Sequence, residues 1–212
     1  MKINKQKELI DFLKAEGVLK SPRIIDAFEA VDRKDFVPQE MAEVAYADEP
    51  LPIGFGQTIS QPSTVAFMLE HLAANEGDVV FDVGSGSGWQ AALLARIVGP
   101  KGRVYTAEIV SELCEFSREN IKKYKELAEL IISECGNAAV GVASLPQKES
   151  LDKIIVAATL DEVSAIWRVQ LKVGGKMIYP SHESLFEETK ISAGEFKLVK
   201  YPGFVFVPFV KE

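Results

Sequence analysis

Histidine and cysteine are scarce in this chain: 212 residues hold two of each, His71 and His182, Cys114 and Cys135. Two imidazoles and two thiols so scattered match neither zinc-ligand spacing nor a disulfide framework. Cys114 falls in a helical pattern and Cys135 at a strand end, so both read as reduced packing residues. No metal site is expected. A run of about 18 apolar residues is also lacking, which excludes a membrane-spanning helix. The opening MKINKQKELIDFLK is amphipathic and lacks the apolar core of a signal peptide. These absences predict a soluble, cytoplasmic protein without a membrane partner. Basic charge is in deficit, with 24 Lys and Arg against 31 Asp and Glu for a net charge of -7. That balance argues against a general grip on nucleic acid. There is no G-x-x-x-x-G-K-S/T phosphate loop, internal repeat or low-complexity tract.

What the chain does have is apolar material, 47% of its residues, enough for one domain with a substantial core. Residues 4–17 place Leu9, Ile10 and Leu13 at helical spacing and stop at Gly17. Ser21-Pro22 reads as an N-cap with proline in the first turn of a second helix, whose apolar face is Ile24, Ile25 and Phe28. Lys34 to Ala47 is looser, with a helical turn over Met41 to Ala45. With no flexible linker after it, this region (1–50) reads as a helical cap. Residues 51–62, LPIGFGQTISQP, follow; two glycines and two prolines break any regular element there. Yet Leu51, Ile53, Phe55 and Ile59 are too apolar for a solvated loop, so the segment is expected to be pinned across the domain. Ser63 is placed to cap the helix TVAFMLEHLA, in which His71 reads as a partly exposed surface residue.

Residues 63–212 carry a strand–helix alternation. Val79, Val80 and Phe81 form a short buried strand, and AALLARIVG a helix behind a glycine turn. Further strands are expected at Arg103 to Ile109, Leu130 to Cys135, Lys153 to Ala158 and Lys176 to Tyr179. Helices are expected over Val110 to Tyr124 and Val163 to Leu171, and Lys172 to Gly175 reads as a turn. Lys190 to Val210 alternates like antiparallel strands with a hairpin near Ala193-Gly194. The pattern implies an α/β fold with an open, mostly parallel sheet, helices on both faces and antiparallel strands at its C-terminal end. Ligands on such sheets sit beyond the C-terminal ends of the strands, where Asp82, Glu108 and Asn137 project.

The organising stretch is VVFDVGSGSGWQ, residues 79–90. Strand, glycine turn and helix in this order let backbone approach a ligand closely, and the helix start offers unpaired N–H groups. An ordinary strand-to-helix connection is the competing reading, against which stand Asp82 and a later acid at a fitting offset. Gly84, Gly86 and Gly88 give G-x-G-x-G; a dinucleotide turn would want glycine where Trp89 stands. Glu108, 24 residues after Gly84, suits an acceptor for ribose hydroxyls. A ribose-bearing cofactor without phosphate fits better than NAD, and S-adenosylmethionine is such a cofactor.

At this point the chain resembles the protein-L-isoaspartate O-methyltransferase family. DVGSGSGWQAALLA looks like that family's first methyltransferase motif and LPIGFGQTISQP like its upstream substrate loop. AEGVLKSPRIIDAFEAVDRKDFVP is similar to its N-terminal helices, and QLKVGGKMIYP to its late Gly-Gly turn and strand. The resemblance implies a Rossmann-like core and transfer of a methyl group from S-adenosylmethionine to the α-carboxylate of L-isoaspartyl residues in damaged proteins. S-adenosylhomocysteine would be the second product. It implies that Ser60 orients the carboxylate as the catalytic residue, with Gln57, Thr58 and Ile59 shaping the substrate pocket. Asp82, Gly84, Ser85, Gly86 and Gly88 would face the methionine part, Glu108 the ribose, and Asn137 the adenine. The family pattern Gly-Asp-Gly stands here as Gly136-Asn137-Ala138. The late segments AATLDEV and YPSHESLF also depart from the pattern, at places that help shape the peptide-binding side. The partners implied are isoaspartyl-bearing proteins and peptides, met by a monomer. A methyltransferase of the same ancestry with a small-molecule acceptor, and a non-catalytic cofactor-binding module, are the alternatives.

Overall fold

Leu9, Ile10 and Leu13, one turn apart, bury one side of the first helix, α1 (Lys5–Ala15). The computed structural model describes residues 5–210, so position 4 of the expected helix lies outside the described residues. Helix α2 (Pro22–Ala30) begins after Ser21 as predicted, but the Ser21 hydroxyl bonds the Glu70 carboxylate instead of capping its own helix. Two 3-10 turns follow, at Arg33–Phe36 and Gln39–Met41, the second ending where a helical turn over 41–45 was expected to begin.

Residues 51–62 correct the sequence reading. They contain a hairpin, β1 (Leu51–Gly54) and β2 (Gln57–Ile59), with a register shift between Pro52 and Gly54. The prolines and glycines that argued against a regular element sit at the bulge, at the turn and beyond the strands, where a ladder can do without their donors. Helix α3 (Pro62–Leu72) starts at Pro62, one residue before the expected cap Ser63. The Ser63 N–H donates to Asp48 Oδ1 at 2.8 Å and the Gln61 amide to Asp48 Oδ2 at 3.1 Å, so Asp48 caps this helix from the preceding segment.

The core then alternates as predicted: β3 (Val79–Val83), α4 (Trp89–Val98), β4 (Arg103–Glu108) and α5 (Ser111–Lys122). A separate turn of helix, α6 (Lys125–Ala128), lies just beyond the helix expected to end at Tyr124. Next come β5 (Ile131–Cys135), β6 (Leu151–Val156), α7 (Ala165–Gln170), β7 (Leu171–Ser181), β8 (Ser184–Ser192) and β9 (Glu195–Pro202). β7 runs through Gly174-Gly175, where only a turn was expected, and absorbs them as an irregularity against β6. YPSHESLF spans the end of β7, a tight turn at His182 and Glu183, both at positive φ, and the start of β8.

The seven core strands are ordered β5-β4-β3-β6-β7-β8-β9, parallel from β5 to β7 and antiparallel beyond. This is the expected α/β class. Side chains alternate between faces along each strand. Val80, Val104, Ile155 and Ile178 join the core beneath α1 to α5, while Phe81, Ile154, Val156 and Met177 pack on the other side around Trp167. The cap is tied to α5 and its end: the Asp32 N–H donates to Tyr124 Oη at 2.9 Å, and that hydroxyl donates to Asp35 at 2.7 Å.

The cysteines were misread. Cys114 on α5 and Cys135 at the end of β5 form a disulfide, with Cα atoms 5.8 Å apart. In register, Cys135 lies beside Glu108, and α5 folds back over the sheet within three residues of Glu108. Their separation of 21 residues in sequence hid this closeness.

Candidate functional site

Beyond the C-terminal ends of β3, β4, β5 and β6 lies a cleft, as the parallel order dictates. One wall is the glycine turn, Gly84 to Ser87, with Trp89 and Gln90 behind it; facing it is the loop strand Gln57 to Ser60. The floor comes from Ala107, Glu108, Ile109 and Val110 after β4 and from Gly136 and Ala138 after β5. Ala157 and Ala158, with the extended segment Val207 to Val210, close the remaining side.

The turn takes its shape from backbone. Gly84 and Ser85 both donate to the carbonyl of Ala107 on the neighbouring strand, at 2.9 and 3.1 Å, and Gly88 donates back to Ser85 at 2.7 Å. Gly88 is required twice: φ is +86°, and a Cβ there would lie 2.7 Å from Ser117 Oγ and 3.1 Å from Ile121. The Asn120 amide donates to the Ser87 carbonyl at 3.0 Å and fixes the turn from α5. A Cβ on Gly86 would touch Ile53 at 3.4 Å, so the β1–β2 hairpin rests on the glycine turn.

Glu108 reaches the cleft as expected. Its Oε2 accepts from the Gly86 N–H at 2.9 Å and its Oε1 from Val110 at 3.0 Å, so one carboxylate joins the turn to the start of α5. It is the one charged side chain among the described residues lining the cleft, which include no lysine or arginine. Such a lining suits a cationic, hydroxyl-bearing ligand and offers nothing to a phosphate.

Asp82 is placed differently from the sequence reading. It is fully buried behind the turn and does not line the cleft. Its oxygens accept from Gln90 Nε2 at 2.7 Å and Thr106 Oγ1 at 3.0 Å. Burial pushes its carboxyl up to about 7 against the pull of those two bonds, and the Glu108 charge adds to the rise. Asn137 also stands off the lining; its Oδ1 accepts from Ala139 at 2.8 Å and caps the short 3-10 turn Ala138–Val140. Gln57, Thr58, Ile59, Ser60, Gly84, Ser85, Gly86 and Glu108 all line the cleft, while Gly88 lies behind it at the helix start.

Two parts of the site escaped the sequence reading. One is the wall Val207–Val210, held through Thr159, which donates to the Val207 carbonyl at 2.8 Å and accepts from Phe209 at 2.9 Å. Its signal was the apolar run FVFVPFV, interrupted by a proline near the chain's end. The other is Arg33, 1% exposed, whose guanidinium sits 5.4 Å from the centre of the Trp89 ring. A charge in a run such as VDRKDF gives no sign of burial. Trp89, where a dinucleotide turn would have glycine, is filled in from the cap by Phe28, edge-on at 5.4 Å.

Residues 4–212 match the family model described as Protein-L-isoaspartate(D-aspartate) O-methyltransferase. The chain is 39% identical to the protein-L-isoaspartate O-methyltransferase of Staphylothermus marinus, covering 99% of this chain and 95% of that one. It is 41% identical to the protein of the same name from Ignicoccus hospitalis, over 98% of both. Among solved structures it is similar to a Plasmodium falciparum protein assigned to the same enzymes and solved in complex with S-adenosyl-L-homocysteine. That likeness has a TM-score of 0.86 and 27% identity, covering 99% of this chain and 100% of the other.

Proposed function

The chain belongs to the protein-L-isoaspartate O-methyltransferase family, and from that premise we propose that it methylates the α-carboxylate of L-isoaspartyl residues in damaged proteins, with S-adenosylmethionine as donor. The observation that carries the reading is the single cleft in which the glycine turn and the Gln57–Ser60 strand face each other. Donor and acceptor can then meet in one water-poor space.

The residues present fit the donor. A lining with one carboxylate and no basic side chain favours a ligand that is cationic and carries hydroxyls. Bound S-adenosylmethionine supplies a methyl group made electrophilic by its sulfonium. Gly84 to Gly86 would hold the methionine part, and Glu108, with lone pairs to spare beyond its two N–H donors, would take the ribose. Gly136 and Ala138 would flank the adenine, with Asn137 supporting them through its cap on the turn. Asp82 acts from behind, by holding Gln90 and Thr106.

The acceptor oxygen needs no base. A carboxylate is ionised well below neutral pH, with a reference value of about 4. The lining accordingly holds no histidine or lysine, and the loop offers hydroxyls and an amide instead: Ser60, Thr58 and Gln57. Their task is to hold one carboxylate oxygen in line with the bond that breaks, Ser60 as the orienting donor. We take the enzyme to act as a monomer on isoaspartyl proteins and peptides. No helix among the described residues is long and apolar enough to cross a membrane; we place the enzyme in the cytoplasm, with its donor and aging protein substrates.

The test pairs two peptides that differ only in one isoaspartyl linkage. Labelled methyl should pass to the isoaspartyl peptide and not to its aspartyl twin. Cofactor binding by calorimetry without transfer to either peptide would overturn the reading.

A further inference from the structure

The β1–β2 hairpin is too small to hold its own shape. Its strands have four and three residues, the ladder is broken by a bulge, and Pro52 lacks a donor. Two-stranded hairpins are marginal in water even when regular. Yet this one must present Ser60 and Thr58 to within a fraction of an ångström. Something outside it supplies the rigidity.

The feet of the hairpin converge on one side chain. Arg33 Nη2 donates to the carbonyl of Glu49, just before β1, and to that of Ser60, just after β2, both at 3.0 Å. Nη1 donates to Ala45 at 2.6 Å and Ala47 at 3.3 Å, fixing the chain that leads into the hairpin. The same guanidinium lies over Trp89, which starts α4 at the glycine turn. One planar fork thus connects the acceptor loop, the segment before it and the donor side of the cleft. Its bonds go to four backbone carbonyls, and its Nε is buried with no partner. A guanidinium buried without a paired carboxylate costs stability, so the fold gains little from it as a mere filler.

The geometry assigns Arg33 the role of positioning residue for the acceptor: it closes the base of the hairpin and holds Ser60 in register with the glycine turn. The assignment of an acceptor rests on the reading above; the clamp on the loop does not. Arg33 does not line the cleft, and its effect is transmitted through the Ser60 and Glu49 carbonyls.

The test compares Arg33→Met with Arg33→Lys in three measurements on the full chain. In Arg33→Met, amides of residues 45–61 should exchange with solvent at least tenfold faster, while those of β3 and α4 keep their protection. S-adenosylhomocysteine affinity by calorimetry should change less than threefold, while kcat/KM for an isoaspartyl peptide falls about 100-fold, the scale of a misplacement near 1 Å. Arg33→Lys, which can serve one or two of the four carbonyls, should recover about tenfold of that loss. Unchanged exchange at 45–61 overturns the proposal, as does cofactor affinity falling in parallel with activity, which would make Arg33 a general stabilising residue. If Arg33→Met fails to fold, Arg33→Lys decides alone by showing the same split at smaller size or not. A wild-type protein that binds the cofactor but methylates no isoaspartyl peptide would sink the functional reading, and the exchange measurement would still judge the clamp.

Discussion

The donor and acceptor sides of the cleft are held together by different kinds of structure. The donor side is a strand, a turn and a helix in sequence, with Glu108 delivered from the next strand by parallel pairing. Its backbone is built into the sheet. The acceptor side is a seven-residue pair of strands hung from the cap by the Arg33 fork, steadied by Asp48 and seated on Gly86 through Ile53. Rigid pairing secures the first; the buried side chains of Leu51, Ile53 and Ile59 and a few buried polar bonds secure the second. Single substitutions should therefore separate the two sides cleanly, each moving one ligand's behaviour and leaving the other's.

The largest effect belongs to the disulfide under the donor side. It closes a span of 21 residues, which corresponds to roughly 3 kcal/mol of chain entropy. Cys114→Ser should lower the urea midpoint accordingly and weaken S-adenosylhomocysteine binding, since Cys135 adjoins the lining residue Gly136. An unchanged midpoint would mean that the sheet register alone holds this corner. Next comes Ser60→Ala, which should cut kcat/KM for the isoaspartyl peptide about 100-fold, the worth of one hydrogen bond to a charged group. Cofactor affinity should stay put; if affinity dropped and turnover did not, Ser60 would belong to the donor side and the division would fail. Glu108→Gln should show the mirror image, about tenfold weaker cofactor binding from loss of charge-assisted bonds, with acceptor KM little altered.

A pH dependence should also mark the donor side. Asp82, raised from 3.8 to about 7 by burial, is favoured in its neutral form by the fold. Its contribution to stability is complete below 3.8 and is lost as pH rises through about 7. The stability of the wild type relative to Asp82→Asn should therefore shrink over that window in urea titrations. A gap that widened with pH would show that the bonds from Gln90 and Thr106 outweigh burial.

The donor side was largely legible in the sequence because it is local. Val79–Val83, the glycines and Trp89 are contiguous, and the offset to Glu108 follows from one helix and one strand. The acceptor residues were legible as a motif but not as a structure. Proline and glycine suppressed the strand signal, and nothing near Ser60 points to Arg33, 27 residues away. The disulfide and the Val207–Val210 wall failed for the same reason, being contacts made only by the sheet order. Asp82 was read as a ligand residue because a strand end points towards the cleft; a hydrogen-bonding pair behind the turn, Gln90 and Thr106, claims it instead.

The tie between Asp32, Asp35 and Tyr124 bears on how the protein is made. Those partners stand 92 and 89 residues apart. On a ribosome the cap emerges before Tyr124, so this tie closes only when more than half of the 212 residues have been made. Arg33 and Asp48 can gather the acceptor hairpin before then, since their partners all lie within residues 45–63, but the link from the cap to Tyr124 is missing. A nascent chain stalled before residue 124 would thus lack both this tie and the cleft floor at Gly136 and Ala138, while already holding every residue of the Arg33 clamp.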